Sequence, residues 1–297
     1  MNIVLASDNK YVQHCAVTMT SIISHNDNVH FYIITDGISN NNKEILNEIG
    51  NQKGGKIDYC YVDEELLTLL PMPKDSNLKH ISKATYYRLF LDSLLPKSVE
   101  KVLYLDCDII VRGNLMDLWN IDLTNYAIAA VFQPDSPMTI DCLKRLDIPY
   151  DCGYFNAGVQ MINRVYWQDN HMQEQFMSFL KNNYSKVLFH DQDVMNAVMQ
   201  GKVKCLSLRW NMFLHSKPSK PLVFRGKEFS IEKLQKEFDN GVIIHYTSSV
   251  KPWVYLANGE LDYLYYEYLN KTVFKDFKPK FNIKRLLNWI KSSIRKI

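Results

Sequence analysis

Several things are missing from this sequence, and each absence narrows the reading. The six cysteines (Cys15, Cys60, Cys107, Cys142, Cys152 and Cys205) include no Cys-x-x-Cys pair, and at 297 residues the chain is too long for a short disulfide scaffold. Such scattered spacing reads as reduced, cytosolic cysteine. No apolar stretch approaches the ~18–20 residues of a membrane span. The opening residues, Met1-Asn2-Ile3-Val4-Leu5-Ala6-Ser7-Asp8, have no basic start and too short an apolar run for a signal peptide. The expectation is a cytoplasmic protein whose membrane contact is at most peripheral. Internal repeats and low-complexity tracts are also lacking. A content of 46% hydrophobic and 12% aromatic residues excludes disorder of the whole chain.

The net charge is only +3, but it is unevenly spread. Nine Lys or Arg and one acid, Asp276, fall between Lys271 and Ile297, so that segment carries +8 and residues 1–270 carry −5. A mildly acidic body excludes ordinary nucleic-acid binding. A basic tail points instead to an anionic surface. Within it, Ile283, Leu286, Leu287, Ile290, Ile294 and Ile297 fall on one helical stripe. Lys284, Arg285, Lys291, Arg295 and Lys296 lie opposite, and Phe274, Phe277 and Phe281 precede them. This is the pattern of a basic amphipathic helix on a membrane surface. The expected division is a folded domain over 1–265 and a membrane-association segment over 266–297, the protein sitting at the inner face of the cell membrane.

The body begins as strand, helix, strand, helix, strand: Ile3–Ala6, Ala16–Ile23, Val29–Thr35, Asn42–Ile49 and Lys56–Val62. That alternation predicts an α/β fold on a parallel sheet. Ligands bind such sheets at the carboxyl ends of the strands, which places Asp8 beside one. Further on, the patterns predict helices over Ser82–Leu91, Val165–Asn182 and Asp191–Met199. They predict strands over Lys101–Leu105, Ile109–Val111, Ala127–Val131, Val159–Ile162 and Val242–Tyr246, and a polar loop from Pro134 to Gly153.

Four constellations carry chemistry. In Leu103-Tyr-Leu-Asp106-Cys107-Asp108-Ile-Ile-Val111 the two acids are i and i+2 on extended chain, so they point to one side. Carboxylates so placed repel unless a cation lies between them, and a hard divalent ion is the usual solution. Two solvated acids in a turn would also account for the pair, but apolar runs on both sides weigh against that. In Ile243-Ile-His245-Tyr246-Thr-Ser248-Ser-Val-Lys251-Pro-Trp253, a His leaves a β-branched strand and a Lys follows. Imidazole can complete a two-carboxylate site and shifts preference toward Mn2+. A satisfied core His would look the same. Cys152-Gly-Tyr-Phe-Asn156-Ala-Gly158 permits close backbone approach to a ligand, or simply enters a strand. Phe189-His-Asp191-Gln192-Asp193 opens a helix; its acids serve as caps, yet Gln192 is not needed for one.

Taken in order, strand–Asp8, His80-Ile81-Ser-x-x-Thr-Tyr-Tyr-Arg88-Leu, Leu-Tyr-Leu-Asp-x-Asp, Tyr-Phe-Asn-Ala-Gly, Asp-Gln-Asp and His-Tyr-x-x-x-x-Lys-Pro-Trp resemble glycosyltransferase family 8 over roughly residues 1–255. The likeness is to its bacterial lipooligosaccharide and lipopolysaccharide alpha-galactosyl- or glucosyltransferases. The resemblance implies a GT-A type, Rossmann-like nucleotide-binding fold and a configuration-retaining transfer of hexose from a UDP-sugar to a saccharide or glycolipid acceptor. It implies that Asp106, Asp108 and His245 hold Mn2+, with Mg2+ as the alternative ion. Asp8 and Tyr11 would hold the uracil with Ala6 beside it. Ile81, Arg88 and Lys251 would contact nucleotide and diphosphate, with Cys107 and Ser248 in the same donor-binding segments. Asn156, Asp191 and Gln192 would surround the hexose, with Gln192 and Asp191 as the catalytic pair. Three places depart from the pattern: Lys10 stands where Asn is common, an acid expected near Phe132-Gln133 comes late as Asp135, and Ser248 replaces a Gly. Two other readings compete. A haloacid-dehalogenase-like phosphatase also uses Asp-x-Asp, but normally at the start of its domain. A UDP-sugar-binding protein without turnover would have no need of the whole ligand set.

Overall fold

The computed structural model describes residues 1–70, 83–248, 251–254 and 259–279. Its strands are β1 (Asn2–Ala6), β2 (His30–Thr35), β3 (Lys56–Tyr61), β4 (Lys101–Leu105), β5 (Ile109–Val111), β6 (Ile128–Ala130), β7 (Val159–Asn163), β8 (Val203–Cys205), β9 (Leu222–Phe224), β10 (Lys227–Phe229) and β11 (Ile243–His245). Seven form one sheet in the order β3-β2-β1-β4-β7-β6-β8. The first four run parallel, as the alternation predicts, and β7 is antiparallel to both β4 and β6.

The sheet is covered on both faces, so successive residues of a strand feed different cores. Ile3 and Leu5 join Phe31, Ile33, Leu103 and Leu105 under the helices Val12–His25 and Asn40–Gly50. Val4 joins Tyr32, Ile34, Val102 and Tyr104 on the other side, packed with Tyr86, Phe90, Trp167 and Phe176. Each fully buried side chain of this size contributes roughly 1.5–3 kcal/mol, which makes the central strands the rigid base of whatever sits at their ends.

Three predicted elements need correction. Residues 134–153 are not a loop: they contain the helix Pro137–Arg145, with Pro at its first position and the Ser136 hydroxyl accepting from the Thr139 N–H. The single long helix expected over Val165–Asn182 is two, Arg164–Asp169 and Met172–Asn183, broken where His171 adopts a left-handed φ of 50°. Residues 83–90 form a 3-10 helix, followed by one α-turn at Leu91–Leu94. Five consecutive side chains there, Tyr86 to Phe90, are buried, a demand that an amphipathic α-helix cannot meet.

At the C-terminal end the helix Tyr263–Leu269 runs across position 265, and its Leu264, Tyr265, Tyr268 and Leu269 are buried, in part against the helix Val12–His25. The amphipathic stripe read from the tail begins at Ile283, outside the described residues, as does Ile81. Among the described residues no helix is long and apolar enough to cross a membrane.

Candidate active site

The sheet ends build the site. Beyond β4 the ladder gains one further rung, Asp106 N–H donating to the Gly158 carbonyl at 2.9 Å. Two residues later the chain re-enters a strand, β5, which pairs antiparallel with β11 so that His245 stands opposite Ile109. Tyr246 N–H then donates to the Asp108 carbonyl at 3.0 Å. Thr18 clamps the intervening turn from the first helix, its hydroxyl 3.0 Å from the Cys107 carbonyl and 2.8 Å from that of Ile109. The two acids do end on one side, but through a turn at Cys107-Asp108 and not on extended chain. Cys107 turns its thiol into the core toward the Ala6 carbonyl, and the two acids turn the other way.

Candidate ligand atoms of Asp106, Asp108 and His245 all lie within 4.8 Å of one another. His245 Nε2 is 3.1 Å from Asp108 Oδ1 and 3.7 Å from Asp106 Oδ2. Asp108 Oδ1 is buried and receives no hydrogen bond. If Nε2 carries no hydrogen it faces the carboxylate oxygen lone pair to lone pair, and either a proton on that nitrogen or a metal ion between the two resolves the contact. Gly158 is part of the cradle. A Cβ at that position would fall 2.1 Å from His245 Cε1 and 2.7 Å from Asp106 Oδ2. The residues therefore fit a divalent cation bound through two oxygens and one nitrogen, a donor set suited to Mn2+ or Mg2+.

Cations of the protein already crowd these acids. Lys251 Nζ lies 2.6 Å from Asp108 Oδ2 and also contacts the Tyr246 carbonyl. Burial works to raise the Asp108 carboxyl, but Lys251, followed by His245, outweighs it and holds the group well below the usual carboxylate range. Arg88 is buried over the Tyr104 ring at 4.2 Å. It donates from Nη2 to Asp106 Oδ1 at 2.7 Å and from Nη1 to the Ala157 carbonyl at 2.5 Å, and its Nε is 2.8 Å from Asp191 Oδ2. Arg88 thus bridges the metal acid to the acid beside Gln192. Burial opposes its charge, and the two carboxylates more than restore it. For Asp191, burial pushes the carboxyl upward against the pull of Arg88 and of the Thr85 hydroxyl, which donates at 2.5 Å.

Gln192 sits in a closed polar network. Its Oε1 accepts from the Ala157 N–H at 3.0 Å and from Asn156 Nδ2 at 3.3 Å, and its Nε2 donates to the Tyr154 hydroxyl at 3.1 Å. Tyr154 donates in turn to Asp193 Oδ1 at 2.7 Å, and Asp193 Oδ2 accepts from Arg145 and from the N–H groups of Leu188 and Phe189. Asp193, fully buried, is not an N-cap: it lies within the helix His190–Val198 and reaches back to the backbone just before it. Its partner Arg145 comes from the helix misread as loop. Asn211, also fully buried, ties the two halves together: it lies 2.9 Å from His245 Nδ1 and donates to Asn156 Oδ1 at 2.8 Å. Nothing in Arg209-Trp210-Asn211 marks it as functional beforehand.

The sequence model of Glycosyl transferase family 8 matches residues 2–257. This chain belongs to glycosyltransferase family 8. Its relatives include a "Putative glycosyltransferase" of Haemophilus influenzae, 33% identical over 71% of this chain and 63% of that one. Another is the "Lipopolysaccharide 1,2-glucosyltransferase" of Escherichia coli K12, 30% identical over 85% of this chain and 72% of that one. The match to the first spans less than two thirds of that relative's length. Among solved structures, the galactosyltransferase LgtC in complex with donor and acceptor sugar analogs superposes with a TM-score of 0.75 at 24% identity, covering 92% of this chain and 96% of that one. That likeness is one of fold, and it confirms the GT-A architecture.

The residues expected to bind the donor's base lie where β1 stops. Asp8 Oδ1 accepts from the N–H groups of Lys10 and Tyr11, both at 2.9 Å, which shapes the turn that starts the first helix. Ala6 precedes it, half-buried. The Tyr11 ring packs on His14 at 4.5 Å, and His14 stacks on Trp253 at 4.0 Å, so the His-Tyr-x-x-x-x-Lys-Pro-Trp segment closes over Tyr11. Ser248 is partly exposed on the chain leaving β11, followed by residues 249–250, which are not described. Two departures from the family pattern gain a physical account. Asn9, beside Lys10, directs its Oδ1 to Ser39 N–H and Asn42 Nδ2. Asp135 is occupied as well: it accepts from Arg225 N–H, Gly226 N–H and the Tyr150 hydroxyl, capping the β9–β10 turn.

Proposed function

We propose that this glycosyltransferase moves galactose or glucose from a UDP-sugar to a saccharide or glycolipid acceptor, with retention of configuration and dependence on Mn2+. Relatives named as lipopolysaccharide 1,2-glucosyltransferases support lipopolysaccharide or lipooligosaccharide synthesis, or that of another surface glycan, as the setting. The observation that carries the metal-dependent reading is the convergence of Asp106, Asp108 and His245, whose candidate ligand atoms all lie within 4.8 Å of one another.

A divalent ion held by Asp106, Asp108 and His245 would supply Lewis acidity to the departing diphosphate. The chain's own groups do the rest. Lys251, on its Asp108 partner, is a point charge within reach of the leaving phosphate oxygens. Arg88 stays committed to Asp106 and Asp191 and fixes the distance between leaving group and sugar. Asn156 and Asp191 would bind hexose hydroxyls. The Gln192 carbonyl already accepts two hydrogen bonds, which leaves it a poor nucleophile. Its role is to place a dipole against the positive charge that develops on the sugar ring. Asp8, Tyr11 and Ala6 would take the uracil.

The proposed membrane segment, residues 266–297, begins on the body, where Tyr268, Leu269 and Thr272 are buried. Contact with an anionic inner-membrane surface therefore falls to the residues that follow. Co-sedimentation with anionic vesicles tests it, and failure of the full chain to pellet would rule it out.

The test of function is UDP release from UDP-galactose and UDP-glucose side by side, with and without Mn2+ and simple acceptor sugars. Mn2+-dependent release from one donor fixes reaction class and donor together. UDP-sugar binding without release would favour a binding protein.

A further inference from the structure

Hydrogen positions are not free choices around His245, because two backbone N–H groups fix them. The Gly158 N–H points at Asn156 at 3.1 Å, so the atom it meets must be the amide oxygen. Asn156 then offers its NH2 toward Gln192 Oε1, which the Ala157 N–H independently requires to be an oxygen. The Asn211 atom that lies 2.8 Å from Asn156 Oδ1 must in turn be its NH2. Asn211 therefore turns its oxygen to His245 Nδ1, 2.9 Å away, and that nitrogen must carry a proton. Every link is buried or nearly so, with Asn211 at 0%, His245 at 4% and Asn156 at 7% exposure, so water offers no alternative partner.

We propose that Asn211 is a positioning residue that locks His245 in its Nδ1–H tautomer, aims the Nε2 lone pair at the cation held by Asp106 and Asp108, and couples this setting through Asn156 to Gln192. The proposal rests on the metal-dependent reading for its consequence, but its first step concerns the protein alone. A metal-bound imidazole whose other nitrogen donates to a fixed acceptor is a better and better-aimed ligand. Here the acceptor is an amide, and the same amide's NH2 holds a residue of the sugar-facing half.

The experiment uses the full chain, Mn2+ alone as ligand, and the variants Asn211→Ala and Asn211→Asp. In the wild type without metal, 15N resonances of the neutral His245 ring should show the proton on Nδ1. Asn211→Ala should lose that preference and bind Mn2+ about 10- to 100-fold more weakly, followed by the free-ion EPR signal. Asn211→Asp keeps an acceptor for Nδ1–H and should restore the tautomer and the Mn2+ affinity. It presents no donor to Asn156 Oδ1, so kcat should stay low at saturating metal. A wild-type ring protonated on Nε2 would overturn the proposal, whatever the variants do. So would equal Mn2+ affinity in wild type and Asn211→Ala. If the wild type bound no Mn2+, the metal-dependent reading would fall while the tautomer result still decided this one.

Discussion

The two halves of the active site are built on opposite plans. At the end of β4, Asp106, Asp108 and His245 converge with more negative charge and lone pairs than their neighbours can satisfy, and one carboxylate oxygen is left without a donor. A few residues away, Gln192, Tyr154, Asp193 and Arg145 form a chain of hydrogen bonds that ends on a buried ion pair, with only Arg145 Nε among its buried donors left without an acceptor. The first half gathers the candidate ligand atoms of three side chains at one point, and the second spends most of its polar atoms on its own members. Groups kept for binding a cation contribute little to holding the fold, whereas a closed buried network contributes to the fold and positions a side chain through it. Substitutions should therefore divide: in the metal half they should cost activity, and in the sugar half stability as well.

The largest effect should come from Asp108→Ala. Loss of one preorganised electrostatic group at a developing charge costs roughly 10²- to 10³-fold in turnover, about 3–4 kcal/mol of barrier. UDP release from the preferred donor at saturating Mn2+ measures it. Removal of Asp108 leaves Lys251 without its carboxylate, but that long, partly exposed cation can turn to water, so the urea midpoint should fall less than it does for a break that strands the fully buried Asp193. Near-normal turnover would remove the metal assignment and the comparison with it.

The second effect is in stability. Arg145→Met removes the cation from Asp193, which is fully buried and keeps only Tyr154 and two backbone N–H groups. Breaking a buried pair from one side costs about 3 kcal/mol. Urea unfolding measures the loss, and kcat should fall too as Tyr154 and Gln192 lose their anchor. Mn2+ affinity, read separately, should change little. A variant that lost Mn2+ binding but kept its stability would reverse the assignment of the two halves.

The same contrast explains what could be read from sequence. Asp106 and Asp108 are legible because an unsatisfied half needs acids in a local i, i+2 pattern, and His245 and Lys251 because they cluster after one strand. Asn211, Arg145 and Gly158 are not. Each acts on a partner far along the chain, and none has a local signature. Gly158 was seen as a small residue near a ligand, but its reason, the space taken by the His245 ring, exists only once β7 and β11 are in place. The parallel sheet was legible from alternation of elements, whereas the antiparallel insertion of β7 was not, since a short apolar run has no direction. The helix Pro137–Arg145 did carry its Ser-Pro start signal, but at nine residues its polar composition outweighed it.

The smallest effect comes from a group that serves the metal half alone. His14 stacks on Trp253 at 4.0 Å and meets the Tyr265 hydroxyl at 2.8 Å, holding the segment that bears Lys251 and the C-terminal helix on the first helix. Burial, assisted by Lys251 and only partly offset by Asp108, drives its pKa down to about 3. The folded protein thus refuses a proton that the unfolded chain accepts near pH 6.5. Between those two values unfolding takes up a proton, so stability falls as pH falls and is unaffected above pH 6.5. One unit below the unfolded pKa the loss is about 1.4 kcal/mol. His14→Phe keeps a ring over Trp253 and removes the titration, and Tyr265 retains Gln13 as a partner. Urea midpoints across that pH range should slope less for the variant than for the wild type, the remaining slope coming from groups such as His25, His215 and Asp92. Equal slopes would mean that His14 opens to water before the fold does, and that Trp253 rather than His14 holds the lysine segment in place.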